Sequence, residues 1–140
     1  MFERILLAVD GSEHSLHAAR EAGDLARAMK TKILRIVIAF ESIPGYLGEP
    51  NRQRAIDSRL KEANAILEKA RKSVGKIPGE IQIELIEGSP AEAIIHVAST
   101  RKSKVIVMGS RGMSSIAELV LGSTSHKVVS HAPCPVLIVR

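Results

Sequence analysis

Val105-Ile106-Val107-Met108-Gly109-Ser110-Arg111-Gly112, followed after nine residues by Gly122-Ser123-Thr124, is the stretch from which the rest of the chain can be read. The apolar run behind Lys104 reads as a buried strand. The segment opening at Ser123 reads as a helix, because Ser and Thr favour helix starts. A glycine turn that leaves a strand and feeds a helix suits an anion. Glycine permits positive φ and close backbone approach, so amide N–H groups can converge on phosphate oxygens. The helix N-terminus adds about half a positive charge, and Ser123 and Thr124 add hydroxyl donors. Taken alone, the same glycines could simply shape a turn and let a helix pack. The spacing is not that of a P-loop, which needs Lys after G-x-x-x-x-G, nor is it G-x-G-x-x-G.

Outward from this stretch, strands and helices alternate. Arg4 to Val9 is apolar after its first residue, as a central parallel strand should be. Asp10-Gly11-Ser12 turns the chain, and Ser12 caps a helix to about Met29 with a stripe at Ala18, Ala22, Leu25, Ala26 and Met29. Ile33 to Phe40 is a second strand broken only by Arg35. The loop with Pro44, Gly45, Gly48 and Pro50 carries no regular pattern. From about Asn51 to Val74, Ile56, Leu60, Ala63, Leu67, Ala70 and Val74 share one helix face. Ile81, Ile83 and Leu85 alternate with Gln82 and Glu84, the pattern of a half-exposed strand. Ser89-Pro90-Ala91-Glu92 is a capping box that opens a helix carrying Ile94, Ile95 and Ala98 inward. After the glycine stretch, a helix runs through Val129, and Pro135 to Val139 forms the last strand.

This order predicts one doubly wound α/β domain over residues 1–140: a five-stranded parallel sheet, order 3-2-1-4-5, with four main helices. Ligands of such sheets bind beyond the strand C-terminal ends, where the strand order reverses. Asp10 and Gly109 end strands one and four, so topology and the glycine stretch point to one crevice.

Composition narrows the function classes. Apolar residues make up 45% and charged residues 25%, which is globular rather than disordered. No apolar run reaches membrane-spanning length, and no signal peptide or anchor is expected. The single cysteine, Cys134, cannot form an internal disulfide, so the cytoplasm is the expected compartment and Cys134 a packing residue. The net charge is +5, but Lys and Arg are interspersed with acids. Phe2, Phe40 and Tyr46 are too few aromatics for a base-stacking platform, so nucleic acid is not an expected partner.

Four segments together resemble the ATP-binding branch of the universal stress protein family: Leu6 to Ser12, Glu87 to Pro90, Val107 to Gly112, and Ala132 to Leu137. The resemblance covers nearly the whole chain. It implies that Asp10, with Ala8 and Val9 beside it, and the backbone at Ile36 hold the adenosine end. It assigns the phosphates to Gly109, Ser110, Arg111, Gly112, Gly122, Ser123 and Thr124, with Met108 just before them in the same site. Arg35-Ile36 stands where the family often has His-Val, a change that a backbone contact tolerates.

The implied function is a cytoplasmic, homodimeric regulatory module of the stress response that binds ATP, or AMP or another adenine nucleotide, with little or no hydrolysis. Mg²⁺ would come with the ATP, near Asp10. The rival readings are an interaction protein of the same fold that uses no nucleotide, and a slow ATPase. Dimerisation is expected through Val136-Leu137-Ile138-Val139, an edge apolar on both faces. His14, His17, His96, His126 and His131 show no metal-ligand spacing and read as surface or packing residues. Ser110 lacks the G-x-S-x-G setting of a hydrolase nucleophile.

Overall fold

The computed structural model describes residues 1–111 and 121–140; Gly112 of the expected cradle therefore lies outside the described residues. The elements run β1 (Arg4–Ala8), α1 (Glu13–Met29), β2 (Ile33–Phe40), a 3₁₀ turn (Gly45–Leu47), α2 (Asn51–Val74) and β3 (Glu80–Glu87). They continue as α3 (Pro90–Thr100), β4 (Val105–Gly109), α4 (Ser123–His131) and β5 (Val136–Val139). All pairings are parallel, in the order β3-β2-β1-β4-β5, as expected.

The central strands are apolar throughout because both sheet faces are covered. Successive residues point to opposite faces. Ile5, Leu7 and Val9 therefore join Leu34, Ile36, Val105 and Val107 in a core under α1 and α2. Leu6 and Ala8 join Val37, Ile106 and Met108 in a second core under α3 and α4. Helix α1 buries Ala18, Ala19, Ala22, Gly23 and Ala26, a face of small residues that lets it lie close to its neighbours.

Several local expectations are corrected by packing. Met29, the last residue of α1, and Leu60 of α2 are exposed rather than inward. Leu60 borders a hollow with Ile56, Phe40 and Ile43 at the ends of β2 and β3 instead of entering the core. Ser12 caps α1, accepting from the Ser15 N–H at 3.2 Å. Ser89 makes no such bond at α3, and Glu92 reaches Lys127 of α4 at 3.3 Å, so the capping box is not formed. The loop after β2 contains the short 3₁₀ turn. On β3, Leu85 is exposed while Glu84 is half-buried, because its Oε1 accepts from Arg35 at 3.1 Å and Arg101 at 2.6 Å. That cluster explains how an arginine fits in the middle of β2. No helix among the described residues is long and apolar enough to cross a membrane.

Candidate functional site

The site is built where β1 and β4 end side by side. Beyond β1, the Asp10 Oδ1 accepts from the Ser12 N–H at 2.9 Å, an Asx-type turn. Gly11 takes φ +86°, a conformation that side chains rarely adopt. The Asp10 carboxylate is thereby fixed on the exposed rim at the head of α1.

Beyond β4 the backbone is clamped. The Ser110 N–H donates to the Val139 carbonyl at 2.7 Å, and its own carbonyl accepts from the Gly122 N–H at 2.8 Å. The Ser125 hydroxyl is shared between the carbonyls of Gly109 (2.8 Å) and Ser110 (3.1 Å). These bonds tie the start of α4 to the end of β4. Gly109 is buried, and a Cβ there would lie 2.8 Å from His14 Cβ and 2.9 Å from the His14 carbonyl carbon. Its missing side chain makes room for α1, not only for a ligand. The approach brings His14 Nδ1 to 2.9 Å from Ser110 Oγ and His14 Nε2 to 3.3 Å from Arg111 Nη2.

Between these rims lies an open crevice, about 530 Å³ of space that includes the solvent at its mouth. One wall is apolar: Val37, Ala39, Pro90, Ile94 and Met108. Asp10, Ser15, Arg111, Thr124 and Ser125 supply polar groups, with Ala8, Val9 and Gly109 also lining it. An apolar slot with donors at one side can take a flat ring and an attached anion.

Of the residues singled out in the sequence, Ala8, Val9, Asp10, Met108, Gly109, Arg111 and Thr124 line the crevice. Ser110 stands beside it through His14 and Arg111. Gly122 is the N-cap of α4, with φ −62°, and Ser123 is exposed at that helix start; neither is on the lining. Ile36 is fully buried, paired with Leu7 and Ile83 and facing the other core, while its neighbour Val37 lines the crevice. Sequence reasoning missed Val37, Ala39, Pro90 and Ile94 of the apolar wall, as well as Ser15, Ser125 and His14. For the wall, strand alternation held the signal, since Val37 and Ala39 point opposite to Ile36 and Ile38.

Among the described residues no group of three or more His, Cys, Asp or Glu could hold a metal ion. Burial pushes the Cys134 thiol above its usual value, which disfavours the nucleophilic thiolate and agrees with a packing role.

The model of the universal stress protein family (Usp) matches residues 1–140. The Thermus aquaticus protein named "Universal stress protein in QAH/OAS sulfhydrylase 3'region" is 46% identical over 140 residues, covering 100% of both chains. Among solved structures, universal stress protein UspA from Lactobacillus plantarum superposes with a TM-score of 0.85 at 26% identity, covering 99% of this chain and 98% of that one. A universal stress protein solved in complex with cAMP superposes with a TM-score of 0.68 at 30% identity, covering 99% and 97%. Matched over its full length and sharing its fold with solved members, the chain belongs to the universal stress protein family.

Proposed function

We propose that this protein binds an adenine nucleotide, ATP in the first instance, in the crevice between the ends of β1 and β4, and that it acts as a regulatory module in the stress response. The observation that carries the reading is the mixed lining: Val37, Ala39, Pro90, Ile94 and Met108 share one crevice with Asp10, Arg111 and Thr124. The 30% identical universal stress protein in complex with cAMP supports an adenine nucleotide as the class. In this reading Asp10, Ala8 and Val9 meet the adenosine end, with the β2 contribution from the Ile36 segment. Gly109, Ser110, Arg111, Gly112, Gly122, Ser123 and Thr124 take the phosphates, with Met108 beside them in the apolar wall. Mg²⁺ binds through one or two carboxylates plus phosphate oxygens. Asp10 is the carboxylate on the lining that could touch it.

Little hydrolysis is expected. Fast phosphoryl transfer needs a positioned nucleophile and groups that stabilise the transition state more than the bound substrate. The carboxylate on the lining, Asp10, already gives Oδ1 to its own turn. The protein is expected to work in the cytoplasm and to pair as a homodimer along Val136 to Val139, where Leu137 is 40% exposed on the sheet edge. Sedimentation of a purely monomeric protein at high micromolar concentration would exclude that pairing.

The test of the function is an equilibrium titration with labelled ATP, with and without Mg²⁺, alongside identification of any nucleotide that co-purifies. Saturable binding with turnover far below about 1 s⁻¹ is expected. Absence of saturable binding of ATP, AMP and cAMP would sink the nucleotide reading. Phosphate release within seconds in a single turnover would make the protein an ATPase.

A further inference from the structure

His14 is held from two sides, by Ser110 Oγ at Nδ1 (2.9 Å) and by Arg111 Nη2 at Nε2 (3.3 Å). A guanidinium only donates and keeps its charge at any working pH. Nε2 must therefore carry the lone pair. In the tautomer that satisfies both contacts the proton sits on Nδ1, and Nδ1–H donates to Ser110 Oγ. The Ser110 hydroxyl is then left to act as a donor itself, while the Ser110 backbone is immobilised at both its N–H and its carbonyl. One imidazole thus touches two groups suited to phosphate oxygens. Its own position is fixed in turn by the close passage of α1 over Gly109.

We infer that His14 is a positioning residue that couples anion binding in the crevice to the uptake of one proton. The inference rests on the nucleotide reading above. A phosphate that draws the Arg111 guanidinium to itself leaves Nε2 without its donor and puts negative charge beside the ring. Both changes favour imidazolium, whose Nε2–H can then donate to the anion. Nucleotide and proton bind with positive linkage, so by reciprocity affinity rises as pH falls. Among the described residues, the other titratable or charged groups at the head of α1 and at the ends of β1, β4 and β5 are Asp10, Glu13, His17, Arg111 and Arg140. Of these residue types only histidine titrates near neutrality. His17 has its Nδ1 on the Arg140 carbonyl at 2.9 Å and its ring 6.4 Å from that of His14, so it does not contact the Arg111 guanidinium through that nitrogen.

The test uses cAMP, whose phosphodiester does not titrate in this range, whereas a terminal phosphate has a second pKa of about 6. Calorimetry in two buffers of different ionisation enthalpy counts the protons taken up on binding. Wild-type protein should show proton uptake and an affinity that rises roughly three- to tenfold from about pH 8 to about pH 5.5, the effect of one added charge near a partly solvated anion. His14→Asn keeps an amide toward Ser110 but cannot titrate, and should bind with a flat pH profile and no proton uptake. Ring ¹⁵N shifts of His14 in the wild type give a readout independent of any variant: at a fixed pH, saturation with cAMP should raise the fraction of rings protonated on both nitrogens. Identical pH profiles in wild type and His14→Asn, or a ring that stays neutral in the saturated complex, overturn the inference and leave nucleotide binding standing. Failure to bind cAMP and ATP at every pH overturns both.

Discussion

Helix α1 passes very close to a neighbour twice, and a glycine makes room each time. Toward its C-terminal end it meets α2 at Gly23, where a Cβ would lie 2.2 Å from the Val74 carbonyl oxygen. At its N-terminal end it meets β4 at Gly109, where a Cβ would lie 2.8 Å from His14 Cβ. Around Gly23 the polar groups are closed off by the protein itself. Arg27 donates to the Val74 and Lys76 carbonyls at 2.8 and 2.9 Å and to Asp24 at 2.7 Å, finishing the end of α2. Around Gly109 the closeness leaves Ser110, Arg111 and Thr124 gathered at a crevice. Close backbone approach is thus a packing device in both places. What makes one of them a candidate site is the set of polar groups that the packing gathers on the lining of a crevice.

Gly23→Ala should separate the two places most strongly. Alanine is the better helix former by about 1 kcal/mol, so propensity alone predicts a gain. The overlap with the Val74 backbone should override it and cost about 3 kcal/mol, roughly ten degrees in Tm. Nucleotide affinity of the folded fraction should not change. A rise in Tm would show that the helices separate without strain.

Gly109→Ala should have a mixed effect. We expect a loss of about 2 kcal/mol from displacing the first turn of α1, together with roughly tenfold weaker nucleotide binding. Weaker binding at unchanged stability would mean that the glycine spares room for phosphate rather than for His14. The sequence alone suggests that second outcome, and the steric environment of Gly109 argues against it.

Thr124→Val keeps the volume and removes a hydroxyl on the crevice lining. Its effect should be the smallest and confined to the ligand: about 0.5–1.5 kcal/mol of nucleotide affinity, with Tm essentially unmoved. Unaltered affinity would remove Thr124 from the phosphate side.

The sheet order is legible in the sequence because five apolar runs separated by helical periods admit few topologies, and the strand-end rule singles out Asp10 and Gly109. What could not be read were contacts made across the chain. His14 shows no metal-ligand spacing, and its partners Ser110 and Arg111 lie beyond a different strand, so no local pattern encodes that meeting. Ser125 looked like one polar residue among several on α4, although its hydroxyl closes two carbonyls on β4. Periodicity assigned Leu60 and Met29 to an inner face correctly in angle but not in height, since each lies where the helix has passed its packing partner. Ile36 and Val37 show the same limit in a strand: alternation separates them, yet only the two assembled cores decide which one borders the crevice.

The clamp at Ser110 also ties the crevice to the outermost strand. The Ser110 N–H donates to the Val139 carbonyl, and the Ser110 carbonyl accepts from the Gly122 N–H at the start of α4. His17 of α1 meets the Arg140 carbonyl through Nδ1. Strand β5 is therefore more than the edge of the sheet: it is the outer anchor of the site. A bulky group set against residues 139 and 140, or anything else that peels β5 from β4, frees the Ser110 amide and loosens the crevice while both cores stay packed.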